Sequence, residues 1–188
     1  MNAKETQPEA RNCCGYSGIK RVLISEDEIK NAVQKAGSAI SREYEGKPLL
    51  IVGILKGSFI FLSDLFRAVN IPCEVGFMAA ESYGNGTVSA GNVKITLDIK
   101  QDISKYHVII AEDIVDTGRT LSEICNMLRE RNPLSLKVYA LLDKPERRET
   151  DFRADCSLFT VPDLFVVGYG LDCGEKYRNL PFIAEAEL

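Results

Sequence analysis

Val108-Ile109-Ile110-Ala111-Glu112-Asp113-Ile114-Val115-Asp116-Thr117-Gly118-Arg119-Thr120 is an apolar run that passes into three carboxylates and a Thr-Gly-Arg-Thr turn. The apolar part predicts a buried strand over 106–112, and the residues from Arg119 to Arg131 predict a helix. The first N–H groups of a helix lack intrahelical partners and the helix dipole is positive there, so this turn is suited to a phosphate. Thr117 and Thr120 add hydroxyl donors. Gly118, without a Cβ, lets the backbone come close to a ligand. Glu112 and Asp113 fall at the carboxyl end of the strand, where open α/β sheets hold their ligands. Carboxylates in that place suit ribose hydroxyls, which donate hydrogen bonds, or a magnesium ion, which takes hard oxygen ligands. Asp116 lies in the turn itself and is the natural general base. An Asp-Thr helix cap accounts for one carboxylate and leaves the adjacent pair unexplained. An aspartic protease pairs two such carboxylates, and this chain has a single Asp-Thr-Gly.

Outward from this run the same alternation of strand and helix continues. Ser25 and Glu28 form a capping-box pattern ahead of a helix over 25–44, with Ile29, Val33, Ala36 and Ile40 on its apolar face. Pro48 to Leu55 is continuously apolar, as a parallel strand covered on both faces is, and a helix from about Phe59 to Val69 follows it. Strands are predicted over Pro72 to Ala80, 93–98 and Leu136 to Leu142, with a Gly-, Ser- and Asn-rich loop over 81–92. The fold class is α/β: a mostly parallel twisted sheet flanked by helices, with right-handed crossovers. Residues 1–18 read as a flexible tail and 19–188 as one domain. The N-terminal segment and about 150–188, rich in Asp, Gly and aromatics, are expected to form a small hood over the carboxyl edge of the sheet.

Composition narrows the function classes. A net charge of −4 argues against nucleic acid, which selects for a basic face. No apolar run approaches the roughly 20 residues of a membrane span, and no signal peptide is evident, so a cytoplasmic protein is expected. Cysteines at 13, 14, 73, 125, 156 and 173 include no Cys-x-x-Cys pair and read as reduced thiols. His107, at the start of its strand, reads as structural.

Together with Leu55-Lys56-Gly57, Glu81-Ser82-Tyr83, Leu142-Asp143-Lys144-Pro145 and Phe165-Val166-Val167-Gly168-Tyr169-Gly170-Leu171-Asp172, the opening run resembles the hypoxanthine phosphoribosyltransferases over residues 20–182. The resemblance implies the type I phosphoribosyltransferase fold. It also implies transfer of the 5-phosphoribosyl group from phosphoribosyl pyrophosphate to hypoxanthine or guanine, giving IMP or GMP and pyrophosphate with Mg2+ as cofactor, in a homodimer or homotetramer.

Residue by residue, the resemblance gives the 5′-phosphate to Asp116, Thr117, Gly118, Arg119 and Thr120, and the ribose hydroxyls to Glu112 and Asp113, one of them through hydrated magnesium. Lys56 and Gly57 resemble the pyrophosphate loop, in which the Leu55-Lys56 peptide is expected to be cis. Ser82 and Tyr83 match a loop that closes over the reacting centre. Lys144 would donate to the purine 6-oxygen, and a donor-only ammonium selects an oxo over an amino group. Phe165 would stack on the base, the Val166 backbone would read its edge, Asp172 would reach magnesium and Arg178 would meet the pyrophosphate. Two departures stand out: Cys173 where the family often has Tyr, which bears on packing near the purine pocket, and the small Ala111 in the strand. Alternatives are a related enzyme for xanthine or another base, or a regulator that senses phosphoribosyl pyrophosphate without catalysis. A regulator predicts a degraded base pocket and an added DNA-binding segment, whereas Lys144, Phe165 and Asp172 are all present.

Overall fold

The computed structural model describes residues 18–82 and 93–187. The expected tail, with Cys13 and Cys14, lies outside the described residues except for Gly18, as do Tyr83 and most of the 81–92 loop. In chain order the elements are β1 (Ile19–Ile24), α1 (Glu26–Glu43), β2 (Leu49–Leu55), α2 (Phe59–Ala68), β3 (Glu74–Ser82), β4 (Val93–Leu97), β5 (His107–Val115), α3 (Arg119–Glu130), β6 (Ser135–Asp143), β7 (Cys156–Thr160), β8 (Val166–Val167) and β9 (Ile183–Ala186). Six strands form a sheet in the order β4-β3-β2-β5-β6-β7, parallel except for the β3–β4 pair.

The apolar continuity of β2 and β5 has its reason in two covered faces. Leu49, Ile51, Ile109 and Ala111 pack beneath α1 and α2, while Leu50, Val52, Val108 and Ile110 pack beneath α3. Ala111 is fully buried, in a place where a small side chain fits. Helix α1 begins at the predicted capping box: the Ser25 side chain accepts from the Glu28 N–H, and Glu28 accepts from the Ser25 N–H at 2.8 Å. Such caps contribute about 1 kcal/mol, and Ile29, Val33, Ala36 and Ile40 are buried as the pattern predicts.

Two boundaries differ from expectation. Strand β3 runs two residues later than Pro72–Ala80, because β2 pairs with it from Leu50↔Glu74 to Leu55↔Ala79. Strand β5 continues through Glu112 and Asp113 to Val115, since pairing with β6 persists to Val115↔Asp143. The carboxylates therefore belong to the strand itself. The segment 150–188 divides: β7 pairs with β6 in the large sheet, whereas β8 and β9 join β1 in a small antiparallel sheet of order β1-β9-β8.

Glu185 on β9 ties this small sheet to the chain's first strand. It is 6% exposed and accepts from Lys20 at 2.7 Å and from Arg21 at 2.8 Å. Hydrogen bonding from Lys20, with a further contribution from Arg21, holds its carboxyl below the ordinary value of 4.5. A depressed folded-state value stabilises the fold above the unfolded value, and the gain is lost as pH falls through the folded value. Glu185→Gln should thus lower the denaturation midpoint at pH 7. The gap to the parent protein should close as pH is taken below 4.5, and a gap that stays constant with pH would dismiss the charge contribution.

Candidate active site

Three groups of side chains meet along the carboxyl edge of β2, β5 and β6. The first surrounds the turn after β5. Gly118 is the N-cap of α3 with φ +82°, and no side chain caps the helix, so neither Asp116 nor Thr117 is spent on that task. The Arg119 N–H makes a 3.4 Å contact to Thr117 Oγ1. The turn is strapped from outside by the chain that leaves β6. Lys144 N–H donates to the Val115 carbonyl at 3.0 Å, Glu149 N–H to the Thr117 carbonyl at 3.0 Å and Arg148 Nη1 to the Asp116 carbonyl at 2.6 Å. A Cβ on Gly118 would fall 2.6 Å from Thr150 Oγ1. In the resulting loop Asp116, Thr117 and Thr120 are part-exposed and Gly118 is buried.

Arg147 and Arg148 were not singled out by the sequence reading. Arg147 Nε donates to Asp116 Oδ1 at 3.0 Å, and Arg148 pairs with Asp143. Arg119, assigned to the phosphate turn, is paired with Glu149 at 2.6 Å. The available signal was the Arg147-Arg148 doublet following Lys144-Pro145, two cations in the segment that leaves the neighbouring strand.

The second group centres on β5. Successive residues of a strand face opposite sides, and Glu112 and Asp113 accordingly diverge. Glu112 continues the face of Val108 and Ile110 toward α3, where its charge is felt by Cys125. Its Oε2 is buried without a hydrogen-bond partner among the described residues, and burial, helped by Asp113, pushes its pKa well above the carboxylate range. Asp113 points the other way, toward Gly57. Its Oδ1 accepts the Ile114 N–H at 2.9 Å, and burial raises its pKa to about 6 against the opposing pull of that bond and of Arg178.

Around Asp113 lie the loop after β2 and the turn before Arg178. The Leu55-Lys56 peptide is cis, as the resemblance implied. A Cβ on Gly57 would lie 1.6 Å from Asp113 Oδ2, and a Cβ on Gly170, whose φ is +106°, would lie 2.0 Å from the Gly57 carbonyl oxygen. Arg178 donates to the Gly170 carbonyl at 2.7 Å and pairs with Asp172 at 2.8 Å. Glu175, which the sequence reading passed over, accepts from both Lys56 and Arg178. No three acidic, thiol or imidazole groups among the described residues converge tightly enough to hold a metal by themselves.

The third group is Lys144, Phe165 and Val166. Lys144 is 8% exposed, and its Nζ donates to the Leu164 carbonyl at 2.6 Å, leaving two ammonium donors for a ligand. Phe165 is 40% exposed although Val166 and Val167 beside it are buried, so its ring is offered as a surface and is not core filling. Ser82 is the last residue of β3, and its side chain and Tyr83 lie outside the described residues. Cys173 packs with the Val167–Leu180–Ala186 cluster of the small sheet. His107 contacts Ser135 at 2.8 Å at the opposite end of β5, in keeping with a structural role.

Comparison with known proteins agrees with this geometry. A family model described as the phosphoribosyl transferase domain matches residues 25–173. The hypoxanthine-guanine phosphoribosyltransferase of Streptococcus pneumoniae R6 is 48% identical over 165 residues, covering 88% of this chain and 92% of that protein. The enzyme of that name from Bacillus subtilis is 46% identical over the same shares. A crystal structure of a Staphylococcus aureus hypoxanthine phosphoribosyltransferase superposes with a TM-score of 0.89 at 43% identity, covering 95% of this chain and 97% of that one.

The contact of Gly170 with the Gly57 carbonyl admits no side chain, and the positive φ penalises one independently. Gly170→Ala should therefore destabilise the protein by about 2 kcal/mol or more. Urea denaturation measures this, and an unchanged midpoint would show that the two loops part without cost.

Proposed function

The chain belongs to the phosphoribosyltransferase family, and on that premise we infer that it is a glycosyltransferase of purine salvage, transferring the 5-phosphoribosyl group of phosphoribosyl pyrophosphate to hypoxanthine and guanine. The products are IMP or GMP and pyrophosphate. The observation that carries the site assignment is the meeting, on one sheet edge, of a phosphate turn, a Lys–Arg pair and a lysine beside an exposed aromatic ring.

In this reading the N–H groups and hydroxyls from Asp116 to Thr120, Gly118 and Arg119 included, take the 5′-phosphate. Glu112 and Asp113 flank the ribose from the two faces of β5 and accept from its hydroxyls, which gives the unpartnered Glu112 oxygen a donor. Lys56, the Gly57 backbone and Arg178 meet the pyrophosphate. Lys144 donates to the purine 6-oxygen, Phe165 stacks on the ring and the Val166 backbone reads its edge. Ser82 and Tyr83 are assigned to the reacting centre by resemblance.

The ribosyl carbon loses its bond to the pyrophosphate oxygen, which departs with the bonding pair, and gains one to purine N9. Asp116 accepts the N7 proton as the new bond forms, after exchanging Arg147 for the base. Magnesium fits this donor set, because it takes one or two carboxylates with waters and substrate phosphates rather than a cage of protein ligands. Asp172 and Asp113, with Glu112 nearby, would hold it. When bound it would offset charge on the departing pyrophosphate.

The small sheet of β1, β8 and β9 serves as the hood, since β8 follows Phe165 directly. No helix of the described residues is long and apolar enough to cross a membrane, which suits a cytoplasmic enzyme. Exposed Val75, Phe77 and Leu97 on β3 and β4 offer apolar surface for a homodimer or homotetramer.

Purified protein given phosphoribosyl pyrophosphate, Mg2+ and each of hypoxanthine, guanine, xanthine, adenine and uracil should form nucleotide with the first two. No product from any base would overturn the assignment. Asp116→Asn should lower kcat by about 10²-fold with little change in base KM, since it removes the proton acceptor and keeps the shape. Lys144→Met should lower kcat/KM for hypoxanthine by about 10²-fold, because it withdraws a charged donor from a buried oxygen. A variant that stays within twofold of the parent would remove that residue from its role.

A further inference from the structure

The Lys56–Arg178 pair is already occupied in this structure by a carboxylate of the chain itself. Glu175 Oε1 accepts from Lys56 Nζ at 2.9 Å, while Oε2 accepts from Arg178 Nε at 3.3 Å and Nη2 at 3.2 Å. One carboxylate thus bridges, oxygen by oxygen, the two cations that the proposed function gives to the pyrophosphate.

The three acidic groups near these cations are not held alike. Asp113 is buried and accepts the Ile114 N–H, and Asp172 accepts the Glu175 N–H at 2.8 Å. The Glu175 side chain is 64% exposed, and its carboxylate is held by the two cations, which keep its pKa below the ordinary range, Lys56 first. Its backbone is pinned in a left-handed conformation at φ +66°, within a tight turn where Cys173 and Lys176 exchange backbone hydrogen bonds. The turn is therefore held by backbone bonds and does not depend on the Glu175 carboxylate. Asp172 holds Arg178 at 2.8 Å independently of Glu175, so the guanidinium stays at the site when Glu175 leaves it.

We propose that Glu175 is a built-in competitor for the pyrophosphate subsite, bridging Lys56 and Arg178 when the subsite is empty and rotating into solvent when a pyrophosphate group binds. This rests on the proposed function. Bound pyrophosphate must displace the carboxylate, and the returning carboxylate re-forms the bridge as product departs. The device weakens pyrophosphate binding, and it does so without reference to the purine, whose contacts at Lys144 and Phe165 belong to another wall of the site.

The test is calorimetric titration of the full chain with pyrophosphate in the presence of Mg2+, comparing the parent with Glu175→Gln and Glu175→Ala. Both variants should bind pyrophosphate about two- to fivefold more tightly, as loss of an exposed ionic competitor implies, and the gain should shrink at high salt. The KM for hypoxanthine should stay within twofold. Unchanged or weaker pyrophosphate binding in folded variants, judged by their circular dichroism, would overturn the proposal, because it would mean that Glu175 only orients Lys56 and Arg178. Should neither variant fold, Glu175→Asp, with its shortened reach, is read by the same criterion. Nucleotide formation by the parent is scored separately, so failure of the competitor role is distinct from failure of the enzyme assignment.

Discussion

The register of β5 between β2 and β6 is the constraint on which the site depends. Parallel ladders fix it on both sides, pairing Gly53 with Ala111 and Val115 with Asp143. Strand side chains alternate with a period of two, so a slip of one residue would turn Glu112 into the face of α2 and Asp113 into that of α3. It would also exchange the apolar side chains of β5 between two buried clusters whose packing differs. Val108 to Ala111 are apolar throughout and fill both covered faces, so the register is held by the paired ladders and by the fit of each side chain in its own cluster, and the side chains of 112–118 are carried along at the strand's end.

Most charged side chains of the candidate site are paired within the chain itself. Asp116 is paired with Arg147, Asp143 with Arg148, Arg119 with Glu149, and Lys56 and Arg178 with Glu175. The Asp116–Arg147, Arg119–Glu149 and Lys56–Glu175 pairs are exposed ones of low individual worth that a better partner can displace, whereas Arg148–Asp143 is mostly buried and braces the strap after β6. The buried groups behave differently. Glu112 and Asp113 meet the cost of desolvation by holding their protons more tightly, with pKa values pushed upward. Under the proposed function, ribose hydroxyls or a cation beside these carboxyls would relieve that cost and so add to the ligand's binding energy.

Much of this was legible in the sequence where the information is local. The capping box at Ser25–Glu28, the buried face of α1 and the apolar runs of β2 and β5 follow from periodicity, since each depends on residues within a turn or on the pleat. The turn into α3 was legible because a glycine with φ +82° at a helix start has a sequence signature. What could not be read lies in contacts between distant parts of the chain. Arg147 reaches Asp116 from 31 residues away and Glu175 reaches Lys56 from 119, and no pattern in either segment names its partner. The same holds for β7, whose Cys156–Thr160 segment has weak alternation and joins the large sheet through its pairing with β6. The extension of β5 to Val115 was hidden because two adjacent charges look like the end of a strand when neighbouring strands are not in view.

The Gly168-Tyr169-Gly170 turn links the segment proposed to read the base to the loop proposed to take the pyrophosphate. Phe165 and Val166 lie just before it and Asp172 just after it, while Gly170 abuts the Gly57 carbonyl of the loop after β2. All three residues have positive φ, including Tyr169 at +50°, so the chain reverses sharply without spending side-chain volume on the sheet edge. Tyr169 is held there by its hydroxyl, which donates to Asp64 Oδ2 on α2 at 2.7 Å. That bond fixes the small sheet to the helix that begins just after the Lys56-Gly57 loop. The turn is thus clamped at both ends of one short path, by a backbone contact to Gly57 and a side-chain bond to α2, which under the proposed function would keep the purine wall at a set distance from Lys56 and Arg178. A reaction that must hold an attacking nitrogen and a departing oxygen on opposite sides of one carbon depends on that distance.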